Sequence, residues 1–299
     1  ITPQNIVYDQ MKFNSSISNI EFIDEDILAV VLKNGELWYT NIVTKDKVKL
    51  YPNEKRKVKV LNRIADEIGL NNKNQFEVVY LKDENLGKLY SLIENKLISV
   101  DLANKKIENI EFEEFNNNEV INNIGISKSN NNIFILTSNF RLFKIDTKTN
   151  MFYKIDIDQI NPEYLTNVEK INFFGNSILF GTSDGWIYLY EERENKLFYK
   201  SRLNVHKSSV VNILSVDNLN SVFSSGSDGT LTITKNRVLG DDQNQIEVQL
   251  GKNNYITDMV YSGKMGDNTI MTCDLNGNLI FWEFDLQNAV EYIRTLAQN

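Results

Sequence analysis

The chain's only histidine, His206, lies 22 residues before Asp228, and Ser225 and Ser227 stand beside that aspartate. A histidine, a carboxylate and a serine are the parts of a nucleophilic hydrolase. There the imidazole takes the hydroxyl proton and the carboxylate orients the imidazole. No Gly-x-Ser-x-Gly elbow presents a serine here. Asp184 and Asp228 are candidate acids, but each precedes a glycine, and Asp-Gly is turn chemistry before it is acid chemistry. Cys273 is the only cysteine. A Cys/His zinc cluster and any mechanism needing two histidines are therefore excluded. No Gly-rich phosphate loop ending in Lys-Ser/Thr appears. The expectation is a chain that is not an enzyme, with no catalytic residue, no metal site and no cofactor.

The two Asp-Gly pairs belong to a repeat. Six polar turns recur: Asn34-Gly35, Glu94-Asn95, Asn139-Phe140, Asp184-Gly185, Asp228-Gly229 and Asn276-Gly277. Each is followed by an apolar residue two positions on: Leu37, Leu97, Leu142, Ile187, Leu231 and Leu279. From the second turn onward the spacing is 45, 45, 44 and 48; only the first gap, 60, is long. A period of roughly 40–45 is that of a propeller blade, one four-stranded sheet per repeat. Short apolar runs flank each turn, as suits strands sandwiched between other sheets. Asn-Gly and Asp-Gly predict two-residue hairpins with both turn residues at positive φ.

A third strand precedes each pair, near residues 17–23, 76–81, 120–126, 168–174, 210–216 and 255–261. A fourth follows, near 47–51, 107–112, 152–157, 196–201 and 246–250. The last repeat lacks a fourth strand, and residues 5–13 lack a blade. Pairing residues 6–8 with 279–282 would close a ring and remove two sheet edges. The spacing thus predicts an all-β, six-bladed β-propeller over residues 1–284, closed by its own ends or open and completed by a partner.

The repeats resemble those of the WD-repeat β-propeller family. Ser225-Gly226-Ser227-Asp228-Gly229-Thr230-Leu231 matches the front of that family's motif, and Ser183-Asp184-Gly185 matches it in part. Trp282-Glu283 matches its end. The resemblance implies a structural turn network drawing on Asp184, His206, Asp228 and Trp282. The tryptophan position holds Thr40, Val100, Ile145, Tyr190 and Thr234 elsewhere, so the network is incomplete. The resemblance also implies an intracellular, eukaryotic scaffold subunit.

Two segments fall outside the repeats. In the insertion over 53–74, Leu61, Ile64, Ala65 and Ile68 recur at helical spacing, entered by Lys55, Arg56 and Lys57. Over 285–299, Leu286, Ala289, Val290 and Ile293 predict a C-terminal helix, a cap or the start of a further helical region. No apolar run approaches the roughly 18–20 residues of a membrane span. The net charge of −8 argues against nonspecific nucleic-acid binding. One cysteine fits a reducing compartment, cytoplasm or nucleus. Asparagine runs at 116–118 and 130–132 read as loop filler.

What remains is surface. Phe140 and Arg141 occupy and follow a turn position that is glycine in four other repeats, and Trp186 follows the next turn. In a propeller these share one rim with the insertion. Trp, Tyr and Arg are enriched among residues that carry binding energy. The expected function is a non-catalytic protein–protein scaffold within a larger complex, using Phe140, Arg141, Trp186, Lys55, Arg56 and Lys57. Small-molecule substrates are not expected. The alternative is recognition of a short acidic or phosphorylated peptide by Arg141 and the three insertion cations.

Overall fold

The computed structural model describes residues 7–24, 26–34, 36–51, 77–82, 87–93, 96–101, 106–110, 121–127, 132–147, 149, 151–157, 167–216, 220–235, 245–249, 255–262 and 269–283. The described residues are all-β, with twenty-four strands. Strand β1 (Val7–Lys12) stands apart from the next four. Strands β2 (Ile17–Asp24), β3 (Ile27–Leu32), β4 (Leu37–Asn41) and β5 (Lys47–Tyr51) form one antiparallel sheet in chain order. So do β6 (Glu77–Lys82), β7 (Gly87–Ile93), β8 (Lys96–Asp101) and β9 (Lys106–Ile110).

Strands β10 (Ile121–Ser127), β11 (Asn132–Thr137), β12 (Leu142–Asp146) and β13 (Phe152–Ile157) repeat the pattern. Strands β14 (Val168–Phe174), β15 (Ser177–Thr182), β16 (Trp186–Arg193) and β17 (Lys196–Asn204) repeat it again. These two units join into one eight-stranded sheet, because β13 and β17 share a parallel bridge of two residue pairs, Asp156 with Lys196 and Ile157 with Leu197. Strands β18 (Val210–Val216), β19 (Ser221–Gly226), β20 (Thr230–Lys235) and β21 (Gln245–Gln249) follow. The last unit is β22 (Ile256–Ser262), β23 (Thr269–Asp274) and β24 (Asn278–Glu283), completed by β1.

The strands lie within a few residues of the expected positions. The pairing of the chain's ends is also observed: β1 runs antiparallel to β24, with Tyr8 opposite Trp282 and Met11 opposite Leu279. The first strands of the units touch in a cycle, β2 to β6, β6 to β10, β10 to β14, β14 to β18, β18 to β22, and β22 back to β2. The second strands β11, β15, β19 and β23 are buried on both faces. Every residue of β19 and β23 is buried. The fourth strand β17 is mostly exposed.

Separate apolar clusters fill the spaces between neighbouring units. Met11, Phe13, Ile20, Val30, Leu279 and Phe281 fill the space between the last unit and the β2–β5 sheet. Leu136, Leu142, Phe173, Phe180 and Tyr190 do the same between the two fused units. Burying each large side chain is worth roughly 1.5–3 kcal/mol, so each unit is stabilised mainly by its neighbours.

The expected helices over 53–74 and 285–299 lie outside the described residues, as do Lys55, Arg56 and Lys57. No helix of the described residues is long and apolar enough to cross a membrane.

Candidate interaction rim

The turns differ from expectation. Positive φ occurs at the second turn residue: 57° at Phe140, 89° at Gly185, 79° at Gly229 and 79° at Gly277. The residue before each is not in that region. The N–H of each positive-φ residue donates back to a carbonyl three residues earlier: Phe140 to Thr137, Gly185 to Thr182, Gly229 to Gly226 and Gly277 to Asp274. These are three-residue hairpin loops, in which a type I turn is followed by one left-handed residue. Asp184 and Asp228, the first turn residues of their loops, accept hydrogen bonds from the Thr182 and Thr230 hydroxyls, and the second residue of each turn takes the positive φ. Asp274, just ahead of its turn, accepts from the Asn276 and Asn278 N–H groups at 2.8 and 2.9 Å.

Two glycines meet a second demand. The Gly185 carbonyl accepts the Val205 and His206 N–H groups at 3.0 and 3.2 Å. The Gly277 carbonyl accepts the Phe13 N–H at 2.7 Å. The segment leading into the next sheet thus lies directly on the turn. A Cβ on Gly185 would run into the His206 carbonyl, with its carbon 2.7 Å away. A Cβ on Gly277 would run into the Ser15 carbonyl, with Phe13 O 2.8 Å away. Phe140 carries a whole benzyl group at the equivalent place.

His206 sits in the segment that covers Gly185, and it is 3% exposed. Its Nδ1 pairs with the Thr230 hydroxyl at 2.8 Å and its Nε2 with the Ser224 hydroxyl at 2.9 Å. Asp228 Oδ1 lies 3.5 Å from Nδ1. Burial pulls the imidazole below its ordinary pKa, and Asp228 opposes that only in part. Both ring nitrogens are committed to hydroxyl partners. Partial burial pushes the Asp228 carboxyl up. Hydrogen bonds from Thr230 and from the Lys207 and Thr230 N–H groups outweigh it and hold the carboxyl below its usual range.

Of the four residues expected in structural turn networks, His206 and Asp228 lie together, while Asp184 and Trp282 have partners elsewhere. Asp184 accepts from the Thr182 hydroxyl at 2.6 Å within its own turn. The Trp282 indole donates to Thr272 Oγ1 at 2.8 Å in the last sheet. Ser224 and Thr272 hold equivalent places on β19 and β23, each the fourth residue of its strand. The His–Ser–Asp part therefore resides in one sheet and the Trp–Thr part in the next.

The rim residues are partly covered. Trp186 packs against the core between the fused units, and the Arg202 guanidinium lies over its ring at 4.8 Å. Arg141 lies over the buried Phe143 ring at 5.1 Å. Phe140 is half-buried.

One set of residues escaped the sequence reading. Five first strands carry a bulge at the same place, after Ile17, Ile121, Val168, Val210 and Ile256. Each bulge delivers a polar residue two positions on: Asn19, Asn123, Lys170, Asn212 and Asp258. The side chains of Asn19, Asn123, Asn212 and Asp258 reach the neighbouring first strand. Asn123 clamps β14, donating to Glu169 O at 2.7 Å and accepting the Ile171 N–H at 3.1 Å.

Asp258 holds three strands. Its Oδ2 accepts from Asn19 Nδ2 at 2.6 Å and from the Ile20 N–H at 2.9 Å. Its Oδ1 accepts from the Asn212 amide and from its own strand's Met259 N–H. Burial pushes its carboxyl above the ordinary range, opposed by the charge of Lys170 and by these donors. The signal was in the sequence as a branched apolar residue, any residue, then a polar one, at each of these five first strands.

Among the described residues no group of three or more His, Cys, Asp or Glu side chains is placed to hold a metal ion. No protein-family model and no curated protein matches the chain. Solved structures do. The crystal structure of the computationally designed Ika8 protein matches with a TM-score of 0.50 and 14% identity, over 91% of this chain and 72% of that one. PorZ, described as an essential bacterial surface component of the type-IX secretion system of Porphyromonas gingivalis, matches with a TM-score of 0.53 and 11% identity. That match covers 88% of this chain and spans 30% of PorZ. At such identities the likeness is one of fold alone.

Proposed function

We propose that the chain is a six-bladed, WD-repeat-like β-propeller that serves as a non-catalytic scaffold, binding a protein partner on the rim that carries Phe140 and Arg141. Six four-stranded units touching in a cycle through their first strands support the architecture. The polar groups best suited to chemistry support the non-catalytic reading, because His206 and Asp228 spend their hydrogen bonds on holding a turn.

The observation that carries the binding site is Phe140 at φ 57°. A bulky side chain in the left-handed region costs roughly 1–2 kcal/mol. Such outliers concentrate at functional sites. Glycine would serve the turn without strain, so the benzyl group needs another reason. Trp186, stacked beneath Arg202, acts here as a support for the rim and not as its anchor.

The test is Phe140→Gly. The variant keeps the turn and removes only the side chain. Fold stability should stay within about 1 kcal/mol of wild type, strain relief offsetting glycine's entropy. Recovery of bound proteins from the source extract should fall steeply, as for loss of an interface anchor worth about 2 kcal/mol or more. A variant that folds and recovers the same proteins in the same amounts overturns this site.

A further inference from the structure

The chain has five methionines. Met11, Met259 and Met271 belong to the core, at 5%, 4% and 0% exposure. Met265 lies outside the described residues. Met151 is 57% exposed. It stands in the connection from β12 to β13, at the end of β12 away from Phe140. Its backbone is pinned on both sides. The Met151 N–H donates to Thr149 Oγ1 at 3.3 Å, and its carbonyl accepts the Asp146 N–H at 3.0 Å.

The sulfur is held as well. The Tyr153 hydroxyl donates to Met151 Sδ at 3.1 Å. Tyr153 is steadied in turn by Lys144, whose Nζ lies 5.6 Å from the centre of the phenol ring. Lys144 pairs at 2.9 Å with Glu192 of β16, and both side chains are largely buried. Glu192 Oε1 also accepts the Asn195 N–H at 2.9 Å. The phenol is therefore placed by contacts that cross between the two fused units, while the methionine it holds faces solvent.

A thioether sulfur has two lone pairs and is a weak acceptor. Oxygen transfer to one pair gives one sulfoxide epimer, and transfer to the other pair gives the second. At Met151 the Tyr153 hydroxyl occupies one pair, and exposure of the side chain leaves the other open. We propose that Met151 is a reversible oxidation site, taking an oxygen atom from a peroxide and forming mainly one sulfoxide epimer. The open lone pair attacks one oxygen of hydrogen peroxide, and the O–O bond breaks. The departing hydroxide takes the proton of the transferred oxygen and leaves as water. Sulfur is oxidised by two electrons, and the peroxide is reduced by the same two. An apolar side chain becomes a polar, chiral one at the surface of the fused sheet. Each epimer has its own reductase, so the geometry also selects which enzyme class reverses the step. This site and the rim around Phe140 lie at opposite ends of β12, and neither reading depends on the other.

The experiment treats the whole chain with hydrogen peroxide at neutral pH and follows each methionine by peptide mass spectrometry. Met151 should gain one oxygen at least about tenfold faster than Met11, Met259 and Met271, which react only when the fold opens. In urea the four rates should converge. The oxidised chain is then divided between the two methionine sulfoxide reductases, each of which repairs one epimer. One of them should restore most of the Met151 sulfoxide made in the native fold and the other little. Sulfoxide made in urea should be shared about equally between them. Tyr153→Phe removes only the hydroxyl. It should leave Met151 the fastest to react and make its sulfoxide an even mixture. The comparison of native chain with urea needs no variant, so it stands if Tyr153→Phe does not fold. Oxidation of Met151 no faster than that of the core methionines overturns the proposal. So does an even epimer mixture from the native chain, or a bias that persists in urea or in folded Tyr153→Phe.

Discussion

Asn19 and Asp258 are 239 residues apart in sequence and joined by a hydrogen bond of 2.6 Å. Asn19 lies on the second strand of the chain and Asp258 on the third from last. The bond crosses the seam where the two ends of the chain meet. It stands beside the pairing of β1 with β24, the Phe13 N–H to Gly277 O bond and the Thr257 hydroxyl bond to Ile17 O at 2.7 Å. Closure is distributed over several groups.

Replacing Asp258 by Ala should strand the Asn19 and Asn212 amides and the Ile20 N–H in a buried place. Unsatisfied buried donors cost about 1–3 kcal/mol each before relaxation. Urea denaturation should show a loss of about 3 kcal/mol, and a loss below 1 kcal/mol would contradict this role. Asp258→Asn keeps one acceptor but aims an amide nitrogen at donors, so it should fall between alanine and wild type. The pH dependence has a fixed sign. A carboxyl raised in the fold binds its proton more readily folded than unfolded. Its contribution is fullest below the ordinary value of 3.8 and is lost as pH rises through the folded value. Asp258→Asn should remove that slope.

His206 contributes with the opposite sign. Its folded pKa lies below 6.5. Its stabilising contribution is present above 6.5 and is lost as pH falls below that value, where the unfolded chain takes up the proton first. Urea midpoints measured between pH 7.5 and 5 should decline for the wild type and less for His206→Gln. Parallel declines would show that the imidazole does not titrate as its burial requires.

Deleting residues 1–12 should uncover the open edge of β24 and remove Met11 from its core cluster. Thermal unfolding should move down by several degrees or more, since each lost kcal/mol is worth about 2–4 °C at this size. An unchanged melting temperature would mean that β1 does not contribute to closure.

Gly185→Ala and Phe140→Ala form a matched pair. Both positions have positive φ, and a Cβ at Gly185 would run into the His206 carbonyl, whereas Phe140 already carries a Cβ. Gly185→Ala should cost about 2–4 kcal/mol, from strain and from displacing backbone that bonds the turn. Phe140→Ala already has a tolerated Cβ and should cost less than about 2 kcal/mol. Equal losses in calorimetry would show that backbone conformation alone decides both positions.

The all-β strand order was legible because its signals are local. Asp184-Gly185, Asp228-Gly229 and Asn276-Gly277 mark hairpins whose strands are adjacent in the chain, and the short apolar runs beside them mark sandwiched strands. Spacing then placed the outer strands to within a few residues. Even the pairing of the N-terminal segment with the last repeat followed from counting, since one unit lacked a strand and the N-terminus had one to spare.

Three matters were decided only by tertiary structure. Which turn residue takes positive φ depends on loop length, which a dipeptide does not state. Trp282 and His206 belong to separate networks because they lie in neighbouring sheets, and no spacing in one strand reports what faces it across a sheet interface. The polar residues after the bulges, above all Asp258, gain their role from first strands brought side by side. Hydrophobic periodicity is a property of one strand and its solvent. The partners of a buried carboxylate are set by strands hundreds of residues away, and only the closed fold brings them to within 3 Å.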